Sequence, residues 1–148
     1  MSIIYKENMM DFYGFYTGKI FDAYKYLGAH VEEKGVTFRT FAPSASRITL
    51  IGEFNDWQEW EMNKVSDGNF WECYVPQAKA GQMYKYKIYD RNGNPVDHCD
   101  PYGFGMELRP GSASIIRDMS KYKFKDSQWL QNRSDCRKKP LNIYEIHF

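Results

Sequence analysis

The chain has 148 residues, the size of a single folded domain that can bury its own hydrophobic core. Its 20 basic and 19 acidic side chains give a formal net charge of +1, so we expect no strong electrostatic attraction to nucleic acid or to an anionic membrane. The sequence has no run of ~20 consecutive apolar residues, so we expect no membrane span. Its first residues do not show a basic segment followed by an apolar one, so we expect no secretory signal.

The first predicted element is a helical segment within residues 1–30. Aromatic and apolar residues recur there at steps of three and four, namely Phe12, Phe15, Phe21, Ala23, Tyr24 and Leu27. Because Gly14 and Gly18 interrupt the early part, the pattern predicts a helix over residues 19–27. Gly28 is suited to end it.

From residue 35 the pattern changes to a period of two, which indicates β-strands. Short alternating or β-branched runs lie between turn residues, at 35–41, 47–52, 69–75, 83–89 and 112–116. Two runs have a predicted core face, formed by Trp71, Cys73 and Val75 and by Tyr84, Tyr86 and Ile88. Lys85 and Lys87 alternate with the second set and face away from it. The pattern predicts an all-β fold, an immunoglobulin-like antiparallel β-sandwich over residues 31–118.

The composition changes after Asp118. Residues 119–140 are polar and charged, and they are predicted to form a linker that closes at Pro140. Residues 141–148 are predicted to form a strand with apolar groups on both faces, which is typical of a parallel strand buried on both sides. Such a strand would be disordered in water, lie on the sandwich or pair with a second copy of the chain.

The sequence contains no nucleophile motif and no phosphate-binding loop. The three histidines share no metal-ligand spacing, so we predict no metal and no cofactor. Acidic residues crowd together at Glu53, Asp56, Glu59 and Glu61. Two of them could form a pair for glycoside hydrolysis, but a solvated loop is the preferred interpretation. The cysteines, three in number and widely spaced, argue against a disulfide scaffold and for a reducing compartment, so we expect a cytoplasmic protein.

Residues 52–60 are the most informative stretch, because they place two tryptophans in a polar loop after a predicted strand. The flat rings of Trp57 and Trp60 can stack on the C–H face of a pyranose, and an amide such as that of Asn55 can hydrogen-bond its hydroxyls. Alternatively, Trp57 folds back over the sandwich as a lid. The residues alone leave both possibilities open.

A series of motifs follows in order along the chain. They are LGAH at 27–30 with GVTFRTFAP at 35–43, GEFNDW at 52–57, YKYKI at 84–88, DPYG at 100–103, ELRPGSAS at 107–114, and NIYEIH at 142–147. Together they resemble the N-terminal sandwich domain of bacterial 1,4-alpha-glucan (glycogen) branching enzymes of the alpha-amylase superfamily. The last motif resembles the opening strand of their catalytic barrel. The resemblance covers residues 12–148.

The resemblance implies a family-48 carbohydrate-binding module that serves glycogen biosynthesis. In these glycosyltransferases a carboxylate pair on a (β/α)₈ barrel cleaves an α-1,4 linkage and transfers the chain to a 6-hydroxyl. A barrel takes ~250 residues, whereas eight residues follow Pro140. The resemblance therefore implies a catalytic barrel that this chain lacks. No catalytic residue is assigned, and the chain is expected to be inactive alone, with α-glucan (glycogen or amylose-type chains) as its partner.

Similar modules in the beta subunit of AMP-activated protein kinase hold glycogen with two Trp, a Lys and an Asn. That resemblance places Trp57 on the first Trp and Lys87 on the Lys. The second Trp position lies near residues 90–94, where this chain has no aromatic, and Trp60 is the available substitute. The implied carbohydrate-binding residues are thus Asn55, Trp57, Trp60 and Lys87.

Two alternatives remain open. In one, the sandwich only packs against the barrel and has no sugar affinity of its own. In the other, the module belongs to a related debranching enzyme or trehalohydrolase. The ELRP segment at 107–110 and the NIYEIH ending favour branching enzymes over these relatives.

Overall fold

The computed structural model describes residues 9–136, 140 and 142–147. The chain divides after Asp118 into two compact units. This division falls at the residue where the composition changes and where the sequence predicts the end of the sandwich. None of the helices among the described residues is long and apolar enough to span a membrane.

The first unit contains nine strands. They are β1 (Gly28–Glu32), β2 (Gly35–Phe41), β3 (Arg47–Gly52), β4 (Trp60–Glu61), β5 (Asn63–Val65), β6 (Phe70–Val75), β7 (Met83–Tyr89), β8 (Pro95–His98) and β9 (Ser114–Ile115). A short helix α1 (Phe12–Tyr16) and two 3₁₀ turns, Ala23–Lys25 and Glu53–Asn55, complete it. The second unit contains a 3₁₀ turn at Met119–Lys121 and the helix α2 (Ser127–Cys136).

The strands form two antiparallel sheets. The first has the order β1-β2-β6-β5, and the second has the order β4-β3-β7-β8, with β9 paired to β7. The all-β sandwich expected from the two-residue period is confirmed. The core between the sheets includes Trp71, Cys73 and Val75 on β6 and Tyr84 and Tyr86 on β7, as the alternation predicted. Ile88, the third residue of the predicted face of β7, is only partly buried and packs against this core.

The helix predicted over residues 19–27 is wrong. The helix lies earlier, at α1, because the Asp11 side chain accepts a hydrogen bond from Gly14 N at 2.9 Å and so caps its first turn. Residues 19–27 contain only the 3₁₀ turn, and Gly28 begins β1 with a φ of 104° instead of ending a helix. Strand structure thus begins inside the segment 1–30 that was predicted to be helical.

A second aromatic cluster accounts for several of the apolar residues whose three- and four-residue spacing predicted a helix. Rings from α1 pack on a pair of phenylalanines of the first sheet, with centroid distances of 4.8 Å for Phe12–Phe70 and 5.1 Å for Phe15–Phe41. Leu27 is fully buried in the same cluster. Phe12, Phe15 and Leu27 therefore pack in this cluster without a continuous helix. Phe21 and Tyr24, which the helical pattern also included, are exposed.

The second unit differs from the sequence prediction at two places. The segment 119–140, predicted to be a linker, contains α2. The described residues 142–147 carry no strand, and side chains such as Tyr144 are exposed. A strand needs a neighbouring strand to pair its backbone groups, and no described residue of this unit supplies one. Leu141 and Phe148, the two ends of the predicted strand, lie outside the described residues.

Candidate functional site

Residues 52–60, the Trp57 loop, double back on the end of β3. After Gly52 the chain makes the 3₁₀ turn and then places Asp56 and Trp57 in the left-handed region, with φ of 53° and 57°. The backbone N–H of Trp57 donates to the carbonyl of Gly52 at 2.9 Å. Two consecutive non-glycine residues with positive φ are costly and persist only where surrounding contacts hold them.

Asn55 supplies those contacts. Its Oδ1 accepts from Gly52 N at 3.0 Å, and its Nδ2 donates to the carbonyls of Gln58 at 2.7 Å and Leu50 at 3.3 Å. Both amide hydrogens are therefore used inside the loop. The sequence placed Asn55 among the sugar ligands, whereas in the structure it braces the loop that presents Trp57.

The ring of Trp57 is available to a ligand. The residue is 40% exposed and does not belong to either buried core cluster. Within the described part of the chain its indole N–H has no hydrogen-bond partner. A residue that sealed the sandwich would bury its ring and usually satisfy this donor. These observations favour a stacking platform over the lid.

Trp60 lies on the other side of the sheet from the predicted lysine. In β4, Trp60 pairs with Leu50, whose side chain is buried in the core, and Glu61 pairs with Thr49. Lys87 pairs with the same Thr49 from β7. Since paired residues share a face and neighbours alternate, Trp60 lies at the edge of the core-facing side and Lys87 on the opposite side. The structure does not bring these two predicted ligands together.

The face of β3 and β7 that points away from the core carries an ionic network, the Glu59 cluster. Its members are Arg47, Thr49, Glu59, Lys87 and Tyr89. The Glu59 carboxylate accepts from Tyr89 Oη at 2.8 and 2.9 Å, from Lys87 Nζ at 3.2 Å and from Thr49 Oγ1 at 3.2 Å. The Arg47 guanidinium lies 3.1 Å from the same carboxylate and 4.6 Å from the centroid of the Tyr89 ring.

The contacts within the cluster favour the charged forms of Glu59 and Lys87. The hydrogen bond from Tyr89, followed by that from Lys87, lowers the pKa of Glu59, and the Glu59 partner raises the pKa of Lys87. A carboxyl group with a lowered pKa is a poor proton donor at neutral pH. Glu53 is also engaged, since it accepts from Met83 N at 2.8 Å. These contacts of Glu53 and Glu59 therefore favour a structural role for the acidic residues over a catalytic pair for glycoside hydrolysis.

Lys85, which the sequence prediction passed over, lies beside the start of the Trp57 loop. Lys85 pairs with Ile51, the residue before Gly52, whereas Lys87 pairs with Thr49 and donates to Glu59 near the end of the loop. Lys85 Nζ donates to Ser112 Oγ at 3.0 Å, and among the described residues no carboxylate lies within ion-pair distance of it. Its charge is thus not neutralised as that of Lys87 is. Alternation placed both lysines on this face, but only the structure shows that Lys85 lies at the start of the loop and that Glu59 holds Lys87 near its end.

Asp100 of the DPYG motif is the buried polar centre of the fold. Its carboxylate accepts from Tyr84 Oη at 2.6 Å, Tyr86 Oη at 3.1 Å and Tyr102 N at 2.8 Å, and its own N–H donates to Ser114 Oγ at 2.8 Å. Burial raises the pKa of Asp100, although the three accepted hydrogen bonds oppose that shift. The DPYG motif therefore supplies the acceptor that satisfies two core tyrosines. No group of three or more potential metal ligands occurs among the described residues.

These features match a known family. Residues 26–103, more than half of the chain, match the family model of the carbohydrate-binding module 48 (isoamylase N-terminal domain). The chain belongs to the carbohydrate-binding module 48 family. The matched range contains the Trp57 loop, both candidate lysines and Asp100.

Curated relatives of this family-48 module are 1,4-alpha-glucan branching enzymes. It is 38% identical to the enzyme GlgB of Fusobacterium nucleatum over 98% of this chain and 24% of the relative. It is 40% identical to GlgB of Dechloromonas aromatica over 91% of this chain and 22% of the relative. The chain thus spans about a quarter of the length of these relatives, and it corresponds to their N-terminal region.

Solved structures with the same fold include a pullulanase and a putative alpha amylase. Pullulanase from Bacillus acidopullulyticus matches with a TM-score of 0.52 and 25% identity, over 62% of this chain and 12% of that one. A putative alpha amylase from Salmonella typhimurium matches with a TM-score of 0.55 and 20% identity, over 70% of this chain and 16% of that one. The second likeness shows the fold alone.

Proposed function

We propose that this module binds α-glucan chains at the Trp57 loop and the adjoining outer face of β3 and β7. In a 1,4-alpha-glucan branching enzyme it would position glycogen or amylose-type chains for α-1,4 to α-1,6 transfer by the catalytic part. The observation that carries the proposal is the exposed ring of Trp57, presented by a loop that Asn55 holds in a costly conformation. No catalytic role is assigned to any residue of this chain.

The chemistry of the site suits a hexopyranose. An indole ring offers a flat apolar surface to the C–H face of the sugar. Lys85 Nζ has donors to spare beyond its bond to Ser112, and the Ser112 hydroxyl can both donate and accept. Lys87 is a weaker candidate than the sequence indicated, because Glu59 already holds its ammonium group. We therefore propose Trp57, Lys85 and Ser112 as the sugar contacts.

The affinity should be modest. The Trp57 loop and the sheet face form an open surface, and an open surface buries less of a ligand than the concave pockets that hold small molecules tightly. Dissociation constants on the order of 0.1–1 mM correspond to about 4–5.5 kcal/mol of binding free energy. One stacked ring, at ~1–3 kcal/mol by analogy with base stacking, would supply a large share of that energy.

A structural role without sugar affinity is the second candidate. The occupied amide of Asn55 and the neutralised charge of Lys87 favour it, because two of the four predicted ligands serve the module itself. Affinity electrophoresis of the 148-residue chain in gels with and without glycogen separates the two candidates. Glycogen-dependent retardation is expected from the binding module. Equal mobility in both gels would leave only the structural role.

We also propose that the module is part of a glycosyltransferase and that the protein is cytoplasmic. The branching reaction is that of the longer relatives, so its assignment to this protein rests on their similarity. A reducing compartment such as the cytoplasm is supported by the free thiols of Cys73, which is buried, and Cys99, which is exposed.

A further inference from the structure

The sequence contains one Asn-Gly pair, Asn92-Gly93, at the tip of the hairpin that joins β7 to β8. Gly93 has a φ of 83°, and its N–H donates to the carbonyl of Asp90 at 3.1 Å, which closes a tight turn with glycine in the left-handed region. Asp90 N donates in turn to the carbonyl of Asn94 at 3.1 Å. Residues 90–99 are all exposed, so the pair is open to water.

The side-chain amide of Asn92 is free in this turn. Within the described part of the chain it makes no hydrogen bond, and only the backbone N–H of Asn92 is engaged, by Asp90 Oδ1 at 2.7 Å. Gly93 has no side chain to shield its own nitrogen. A Cβ built at Gly93 would meet no atom within 4 Å, so the surroundings do not shield it either. The Asn92 side chain can therefore rotate towards the Gly93 nitrogen without breaking a hydrogen bond.

Asn94, two residues further along the same exposed hairpin, is held and blocked. Its side-chain amide donates to Asp90 Oδ2 at 3.0 Å, and its backbone N–H donates to Asp90 Oδ1 at 2.9 Å. The next residue is Pro95, whose ring nitrogen carries no hydrogen. That nitrogen cannot lose a proton and close a ring on the Asn94 side chain. The hairpin thus contains its own matched control for Asn92.

The fold also holds the only Asp-Gly pair of the sequence, Asp67-Gly68. Asp67 Oδ1 accepts from Asn69 N at 3.0 Å, while Oδ2 accepts from Tyr16 Oη at 2.5 Å and from Asn69 Nδ2 at 3.1 Å. The hydrogen bond from Tyr16, followed by that from Asn69 N, lowers the pKa of Asp67. A carboxylate that is held and kept ionised in this way is a poor target for attack by the Gly68 nitrogen.

We propose that Asn92 is a site of spontaneous deamidation in the folded module. The Gly93 nitrogen loses its proton and attacks Cγ of Asn92, so that a C–N bond forms and closes a five-membered succinimide. The bond from Cγ to the side-chain nitrogen breaks, and that nitrogen leaves as ammonia with the proton that Gly93 lost. Water then opens the ring at either carbonyl and gives aspartate or isoaspartate. Water is the only co-reactant, and no oxidant or reductant takes part.

Either product changes the hairpin. It adds one negative charge, so the formal net charge of the chain falls from +1 to 0. The new carboxylate lies in the same turn as the carboxylate of Asp90, and like charges repel. Isoaspartate also adds a methylene to the backbone between residues 92 and 93, next to the register that pairs Tyr89 with Pro95. The reaction involves no sugar and does not depend on the proposed function.

The test is incubation of the folded 148-residue chain at mildly alkaline pH, followed by proteolysis and tandem mass spectrometry. Deamidation replaces NH₂ by OH, and fragment ions assign the mass change to residue 92 or to residue 94. Asn92 is expected to convert and Asn94 to stay intact. Isoelectric focusing should show a new band on the acidic side of the parent. Asn92→Gln, which would need a six-membered ring, should lose that band, and Asn94→Gln should keep it.

A parallel incubation in guanidinium chloride separates the reactivity of the sequence from that of the fold. Isoaspartate is expected at both Asn92 and Asp67 in the unfolded chain, and at Asn92 alone in the folded chain. If Asn92 converts only in the unfolded chain, its turn protects it and the proposal is wrong. Absence of conversion at Asn92 in both samples would overturn the proposal as well. The parent chain alone decides, so the conclusion does not depend on whether the variants fold.

Discussion

Lys87 Nζ lies 3.2 Å from the Glu59 carboxylate, and this ion pair changes which lysine the candidate site uses. Glu59 is in turn held by Tyr89, Thr49 and Arg47, so Lys87 belongs to a network that stabilises the outer face of the sheet. Lys85, two residues earlier and beside the Trp57 loop, keeps its charge available. The two lysines share one strand and one face, which makes them a matched pair for mutation.

Lys85→Met is expected to weaken glucan binding, and Lys87→Met is expected to leave it nearly unchanged. Loss of a charged hydrogen bond to a sugar hydroxyl costs about 1.5 kcal/mol, which corresponds to a roughly tenfold loss in affinity. Calorimetric titration with a malto-oligosaccharide measures both variants. If Lys87→Met weakens binding and Lys85→Met does not, Lys87 is the sugar ligand, as the sequence predicted, and the proposal of Lys85 is wrong.

Asp100→Ala is expected to lower the free energy of unfolding by about 2–4 kcal/mol, because the buried hydroxyls of Tyr84 and Tyr86 and the backbone N–H of Tyr102 lose their acceptor. Urea denaturation measures the loss. Asp97→Ala is the control, since Asp97 lies on the exposed strand β8 and its loss should change stability by no more than about 0.5 kcal/mol. Equal losses of stability in the two variants would show that the hydrogen bonds accepted by Asp100 do not contribute specially to stability.

The stability contributed by Asp100 should depend on pH with a definite sign. Burial raises its pKa in the folded chain, so the folded state binds the proton more tightly than the unfolded state does. Its contribution to stability therefore grows as the pH falls from neutral through the folded pKa. Urea denaturation of the parent and of Asp100→Asn, which cannot titrate, should show the parent gaining stability relative to the variant on acidification. A relative loss would mean that the hydrogen bonds outweigh burial.

Cys73 should be unreactive in the folded protein, because burial raises the pKa of its thiol to about 11. A variant with Cys99→Ser and Cys136→Ser leaves Cys73 as the only thiol. At pH 8 this variant should not react with Ellman's reagent until guanidinium chloride unfolds it, and it should then react fully. Rapid reaction under native conditions would show that the core opens around β6.

The sequence predicts most of the sandwich because its signals are local. Alternation marks Tyr84 and Tyr86 as core residues on one strand, and the same two-residue period identifies the other main strands. The helix over residues 19–27 fails for a non-local reason. Phe12 and Phe15, which began the helical pattern, pack on phenylalanines of β2 and β6 that lie far away in sequence, and the spacing within the segment cannot predict that contact. Phe21 and Tyr24, which continued the pattern, are exposed.

The candidate site was predictable only in part. The Trp57 loop stands out in the sequence as tryptophans among polar residues, and the structure exposes Trp57. The face on which Trp60 lies depends on the register of the two-residue strand β4, and the local pattern does not encode that register. The role of Asn55 depends on backbone groups that converge only when the loop folds. The ion pair of Lys87 forms because Glu59, just before β4, extends past β3 to Lys87 on β7.

The most direct test of glucan binding at the Trp57 loop compares Trp57→Ala with Trp60→Ala. The two residues have similar exposure, at 40% and 37%, and the same side chain, but Trp60 lies on the core-facing side of the sheet edge. In glycogen affinity electrophoresis, Trp57→Ala should lose most of the retardation, consistent with ~1–3 kcal/mol for a stacked ring, while Trp60→Ala should retain it. Retention by Trp57→Ala together with loss by Trp60→Ala would contradict the account.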